Sequence, residues 1–375
     1  MPDIRASIAC NLDLNILQTA LPLFSAETVE AIEWSFDTLF KVKNIPDSFI
    51  ELLKAFGKEE RLIGHGVFFS MFSGKWSAEQ DHWLKHLEKV CSNFQFDHIT
   101  EHFGFMTGAN FHQGAPISIP FNQTTLAIGH DRLKRIYNTC QCPVGLENLA
   151  FSYSLDEVKR HGEFLEKLIA PINGFIILDL HNLYCQLHNF GVDYADLIKL
   201  YPLNQVREIH ISGGSWNDSE LTPSKKIRRD THDDSVPAAV FELLEKTIPQ
   251  CNNLKFVVLE QIGTGLKSEE SKKLFQADFA QMKKIIRQTE VSRKPNNNFL
   301  PTQNIFSLHA PIENIALAAQ QKELSTILET ADGYLDAQSR LQQSSLAATD
   351  WEIEKWEPHM LETVVAIAQK WKDGF

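Results

Sequence analysis

The stretch FIILDL (Phe175–Leu180) is a short, β-rich apolar run with an acid, Asp179, just before its end, and seven more short β-rich runs punctuate the chain. In order they are Ala6–Ala9, Ala31–Phe36, Leu62–Val67, Asp97–His102 and Val144–Asn148, then Val206–Ile211 and Leu254–Glu260 after Phe175–Leu180. Between them lie segments with helical spacing: Ser77–Cys91, Thr124–Tyr137, Ser154–Ile169, Tyr194–Leu200, Val236–Thr247 and Ser268–Arg287. Ser154 with Glu157 three residues on has the form of a capping box. The run at Ala31 is ambiguous, because SAETVEAIEWSFDTLF also reads as one capped helix. Strands alternating with helices imply βαβ units and a parallel sheet. Eight units ending near residue 290 predict an α/β protein of the closed (β/α)₈ TIM-barrel type. The rival, a doubly wound open sheet, normally carries a glycine-rich phosphate turn after its first strand, and SIACNLDL has none.

The character changes past residue 290. Val291–Asn304 is polar and rich in Pro and Asn, the composition of a linker. Beyond it, Pro311–Thr330 and Trp351–Lys372 carry apolar residues at helical spacing, with no β run. The expected organisation is a catalytic barrel over 1–290, a linker over 291–304 and a C-terminal helical extension over 305–375. No stretch is long and apolar enough to span a membrane. The N-terminus holds Asp3 and Asp13 and lacks the form of a signal peptide. With 36 Lys+Arg against 48 Asp+Glu, the formal charge of −12 argues against a general nucleic-acid binder. Six cysteines without a CxxC pair suggest a reduced, cytoplasmic protein rather than a disulfide framework.

A parallel barrel assembles its site at the carboxyl ends of its strands. Here those ends carry His65, then Glu101 and His102, then Glu147 and Asn148, then Asp179, His181 and Asn182. His210 sits late in the seventh run, Asp230 and His232 lie in the loop after it, and Glu260 ends the eighth. Taken singly, each has an ordinary reading: a strand-end His is commonly a satisfied loop residue, and Glu147 or Asp179 could cap the next helix. Taken together, so many acids and imidazoles at one end of a barrel would be costly without a cation, because buried charges must be paired or bind metal. The set contains N and O donors and no thiolate, which suits iron, manganese or zinc. It exceeds the needs of one ion, so two or three metals bridged by a carboxylate such as Glu147 are expected.

Other signals are weaker. Cys140 and Cys142 form a CxC in the turn before the fifth run, on the far end of the barrel from the site. SKKIRR (Ser224–Arg229) is either a solvated loop or a clamp for a carboxylate of the substrate, with Arg228 and Arg229 nearest the site. The absence of a GxSxG elbow argues against acyl transfer.

HGVFFS (His65–Ser70), TEHFGF (Thr100–Phe105), LENLAFS (Leu146–Ser152), LDLHNLY (Leu178–Tyr184), EIHISGG (Glu208–Gly214), DTHDDSV (Asp230–Val236) and LEQ (Leu259–Gln261) resemble the successive motifs of the multinuclear non-haem iron-dependent oxidative enzymes. The resemblance spans roughly residues 5–285. It implies a xylose isomerase-like barrel holding two or three iron ions in mixed Fe²⁺/Fe³⁺ states, with O₂ as co-substrate. It also implies an oxidative modification of a residue, often cysteine, in a ribosomally made precursor peptide. Carried over, it puts His65, His102, Glu147, Asp179, Asn182, His210, Asp230, His232 and Glu260 in or beside the metals. His65, Glu147, Asp179 and His210 would be the catalytic core, with Glu101, Asn148, His181, Arg228 and Arg229 around it or on the substrate. Many members have two asparagines where this chain has His181-Asn182, so His181 either adds a ligand or points outward. Members often work with a small peptide-binding partner protein, whose place the long tail could take or whose dock it could form. The alternatives from the residues alone are a metal-dependent barrel hydrolase or isomerase acting on a phosphodiester or sugar, and a non-enzymatic peptide-binding scaffold.

Overall fold

The computed structural model describes residues 4–108, 113–222, 224–289 and 295–373. Eight parallel strands close into a barrel: β1 (Arg5–Ala9), β2 (Ala31–Trp34), β3 (Leu62–Gly66), β4 (His98–His102), β5 (Val144–Glu147), β6 (Phe175–Asp179), β7 (Val206–Ser212) and β8 (Phe256–Glu260). Neighbours in the wall are neighbours in sequence, and β8 closes on β1. The α/β reading therefore holds, down to the eight units. At Ala31 the strand reading wins over the capped helix.

The sixth unit differs from its sequence reading. The strand stops at Asp179 and a helix runs over Leu180–Phe190. Asp179 is its N-cap, accepting from the Asn182 amide at 2.5 Å, and Gly191 ends it in the left-handed conformation at φ 63°. His181 and Asn182 thus sit on the first turn of a helix, where strand alternation does not apply. Tyr194–Leu197 is only a short helix after it. At Ser154 the cap forms from one side only: its hydroxyl accepts from the Glu157 amide, whereas the Glu157 carboxylate accepts from the Tyr153 amide.

Alternation along the strands gives the barrel two insides. At the N-terminal end and in the middle the interior is apolar apart from His98 and Glu208, with Ala9, Ala31, Ile63, Phe256 and Val258 in one cluster and Phe175 and Ile177 packed on Phe299. At the C-terminal end it is polar. A bulge lets β7 gain one residue on β6 between Ile176 and Ile177, which brings His210 level with Asp179. Glu208 and His210, two residues apart, then share a face.

Of the segment read as a linker, residues 291–294 lie outside the described residues. Phe299 is fully buried against Phe175 and closes the N-terminal end of the barrel. From there the chain climbs the helix Gln123–Cys140: Asn138 donates to the Phe306 carbonyl, Arg135 to that of His309 and Arg132 to that of Ile312. It ends in three helices, Ile315–Thr330, Gly333–Gln342 and Pro358–Trp371. The middle one carries no strong signal in the sequence. The last helix reaches the barrel mouth, where the Gly114 amide donates to the Trp371 carbonyl and the Glu362 carboxylate accepts from Ser219 and the Glu220 amide. No described helix is long and apolar enough to cross a membrane.

Candidate metal centre

The strand-end residues converge at the C-terminal mouth. His65 donates through Nδ1 to the Thr100 hydroxyl at 2.8 Å, since that hydroxyl spends its own hydrogen on the Gly64 carbonyl. Its Nε2 lone pair is left facing the site. His102 Nε2 lies 3.0 Å from it, and Glu147 Oε2 lies 3.5 Å from His65 and 3.2 Å from His102. The other oxygen of Glu147 is 3.7 Å from His210 Nδ1, which is itself 3.4 Å from Glu260 Oε2. Two sets of donors result, each with its atoms within 4.8 Å of one another: His65, His102 and Glu147, and Glu147, Asp179, His210 and Glu260. Glu147 belongs to both.

Around these sets the remaining predicted residues divide. Asn148 locks Asp179 by a pair of bonds, accepting from its amide at 2.6 Å and donating to its carbonyl at 3.1 Å. Asn182 reaches Glu147 Oε1 at 3.4 Å and the Asn148 carbonyl at 2.8 Å. Asp230 and His232 pair at 2.7 Å, and His232 Nδ1 lies 3.5 Å from Glu260, so they adjoin the second set. His181 is buried and donates to Asp230 at 3.0 Å, with Arg228 Nε donating to its other nitrogen at 3.0 Å. It is held between those two groups. Gly214 permits this, since a Cβ there would meet His181 at 2.9 Å and the Arg229 carbonyl at 2.3 Å. Glu101 turns away behind the wall and accepts from the His102 amide. The SKKIRR run is half hairpin: Lys226–Arg228 pairs with Trp216–Asp218, and Arg228 is buried.

The mouth also uses residues for which the strand-end rule gives no signal. His210 Nε2 faces two buried carboxylates, Glu33 at 3.0 Å and Glu208 at 3.3 Å. Glu208 continues to His98 at 2.6 Å, and His98 to Asp97 at 2.9 Å, toward the other end of the barrel. Glu33, Glu208 and His210 form a third donor set. Because they hold His210 Nε2, they orient its Nδ1 toward Glu147 and Glu260, the role outer carboxylates play for metal-binding imidazoles. Period-two spacing from His210 was the available clue for Glu208. Cys10, just past β1, is fully buried, and burial pushes its thiol up to about 12. Cys140 and Cys142 lie at the opposite end of the barrel, beside Cys91.

In the protein alone, burial and crowded charges perturb most of the ionisable groups of the site. Burial pulls His102, His210 and His232 down, but the surrounding carboxylates outweigh it and hold all three above the ordinary histidine value. Burial, reinforced by the neighbouring His102, lowers His65 to about 4. Burial raises Glu33 to about 7, and Asp179 well above its ordinary range with Glu147 adding to the effect. Several donor atoms are buried with no hydrogen-bond partner among the described residues: His102 Nδ1, His210 Nδ1, Asp179 Oδ2, Asn182 Oδ1 and Glu260 Oε2. Orphaned acceptors at such density are expensive. A cation between them removes the cost, and the donor set fits a metal.

This mouth opens into a cavity of about 550 Å³, bordered by His102, Glu147, Asp230, His232 and Glu260 on one side and by Met360, Ile367 and Trp371 of the last helix on another. Among solved structures, the chain is similar to an L-ribulose 3-epimerase (TM-score 0.51, 11% identity, 76% of this chain and 95% of that one). It is likewise similar to a xylose isomerase domain protein from Planctomyces limnophilus (TM-score 0.50, 14% identity, 77% and 99%). Likeness at that identity concerns the fold, which is xylose isomerase-like. In sequence it is 24% identical over 183 residues to a UPF0276 protein of Caulobacter vibrioides, covering 48% of this chain and 62% of the relative's length. A UPF0276 protein of Shewanella oneidensis is 23% identical over 205 residues, 53% of this chain and 71% of its own. Residues 30–268, which hold every strand from β2 to β8 and all the donors above, match one family, and the chain belongs to it: the RiPP precursor modification enzymes MbnB/TglH/ChrH.

Proposed function

We propose that this protein is an iron- and O₂-dependent enzyme that oxidises a residue, a cysteine, in a ribosomally synthesised precursor peptide. The observation that carries the reading is the pair of donor sets sharing Glu147 at the floor of a cavity walled largely by apolar side chains. His65, His102, Glu147, Asp179, His210 and Glu260 would hold two ions, with Asn182, Asp230 and His232 placed to complete them or to accept a third. Oxygen and imidazole donors without thiolate suit iron. Bound iron would supply the redox chemistry and an open position at which a substrate thiol is acidified. The chain's own residues then have three tasks. Thr100, Glu33 and Glu208 fix the tautomers of His65 and His210. Asn148 and Asn182 fix the carboxylates. Phe68, Phe103 and Phe151, which border the cavity, keep water from the reacting group.

Anaerobic purification followed by metal analysis and O₂ uptake tests the reading. About two or more irons per chain, with O₂ consumed when a cysteine-bearing precursor peptide is added, is the expected result. Zinc alone, with no O₂ uptake after iron is supplied, would overturn it and favour a hydrolase or isomerase. Stable peptide binding without any turnover would favour a scaffold.

A further inference from the structure

Three cations also border the cavity, two of them beside Asp230 in sequence. Arg228, Arg229 and Lys370 border it, and none of them makes an ion pair among the described residues. Arg228 is buried, Arg229 half-buried and Lys370 exposed, whereas the other buried arginines of the chain are paired, Arg132 with Asp131 and Arg207 with Asp97. Arg228 is also built into place. It is 4% exposed, and its backbone amide and carbonyl are both bonded to the Asn189 side chain. Its guanidinium lies over the Tyr184 and Trp216 rings, 5.7 and 5.0 Å from their centroids. Nε donates to His181, so only the two terminal nitrogens remain. A planar fork buried, braced on three sides and lacking an acid is the arrangement that receives a carboxylate. Lys370 comes from the last helix, so both the hairpin and the C-terminal extension bring a cation to this cavity.

We propose that Arg228 and Lys370 form a carboxylate-binding subsite that anchors the substrate peptide beside the metal-binding floor. The inference rests on the peptide-modifying reading and specifies which chemical group that peptide must present. The carboxylate is either the peptide's C-terminus or an Asp or Glu side chain near the modified residue. His181 links the subsite to the floor, with one nitrogen accepting from Arg228 and the other donating to Asp230. The anchored group and the floor are therefore held at a fixed separation.

The test is anaerobic calorimetric titration of the metal-loaded full chain, so that binding is read without turnover. The probes are acetyl-Gly-Cys-Gly as the free acid, its C-terminal amide, and acetyl-Gly-Cys-Glu amide. The free acid is expected to bind at least about tenfold more tightly than the amide. Recovery of affinity by the Glu-bearing amide assigns the subsite to a side-chain carboxylate, and no recovery assigns it to the chain terminus. Arg228→Gln and Lys370→Gln should each erase most of the preference, and the second keeps the test valid if the first disturbs folding. Equal affinity for acid and amide, a preference that survives both substitutions, or no binding by any probe would overturn the proposal. A clear acid preference without O₂ uptake would keep the subsite and remove the oxidase reading, whereas O₂ uptake with equal affinities would do the reverse.

Discussion

Glu147 is the residue on which the two donor sets turn, since its two oxygens face different imidazoles. Glu147→Gln keeps the shape but leaves one neutral oxygen to serve both sets. The expected outcome is loss of at least one metal per chain, read by metal analysis, with the fold retained by circular dichroism. Glu208 touches only His210 and His98 around the site, so Glu208→Gln should leave the metal count at saturation unchanged while weakening affinity by about 10–100-fold. An unchanged dissociation constant would mean that Glu33 alone orients His210. These two acids mark how far the sequence could be read at this scale. Glu147 ends a strand, where a barrel gathers its chemistry, and it was legible for that reason. Glu33 and Glu208 lie one layer deeper, where strands normally carry apolar residues; period-two spacing from His210 hints at Glu208, but for Glu33 only its contact with His210 reveals its work. His181 is a different case: the sequence left open whether it adds a ligand or points outward, and its place on the first turn of a helix sets it between Asp230 and Arg228.

At the scale of elements, the misreading of the sixth unit has a physical cause. Only His181 and Asn182 separate FIILDL from LYCQL, so the apolar pattern does not mark where strand becomes helix. The punctuation is chemical, with Asp179 as cap and Gly191 as stop. The C-terminal helix Pro358–Trp371 poses the opposite case. Its existence was legible from apolar spacing, but its destination was not, because that depends on Glu362 meeting the hairpin after β7 and Trp371 meeting the Gly114 loop. Glu362 holds the Ser219 hydroxyl and the Glu220 amide at 2.7 Å each. Glu362→Ala removes two charge-assisted bonds in an exposed setting, at a cost of about 1–2 kcal/mol. The cavity wall should loosen, so KM for the peptide should rise several-fold while metal content stays constant. If KM is unaffected, the last helix is not part of the substrate wall.

The whole molecule is organised around a polar line through an otherwise apolar barrel, from His210 through Glu208 and His98 to Asp97 at the closed end. Asp97 anchors that line, receiving His98, Arg207 and Lys255 together. Burial alone would raise its carboxyl, but the His98 hydrogen bond and the three nearby cations outweigh it and hold it well below the usual aspartate range. A carboxyl depressed in the folded state contributes stability that is complete above its unfolded value, near 4, and is lost as pH falls toward the folded value. Asp97→Asn should therefore destabilise the protein at pH 7 by about 3 kcal/mol, the lower end for breaking a buried pair, because Lys255 remains partly reachable by solvent. The difference should shrink below about pH 4, where the carboxyl of the unfolded chain begins to take up a proton while the native one stays charged, so that the wild type progressively loses this contribution. Urea unfolding at pH 7, 5 and 3 measures it. A gap that stays constant down to pH 3 would mean that the native side chain acts there by hydrogen bonding alone. Its charge would then have no part in holding the closed end of the barrel.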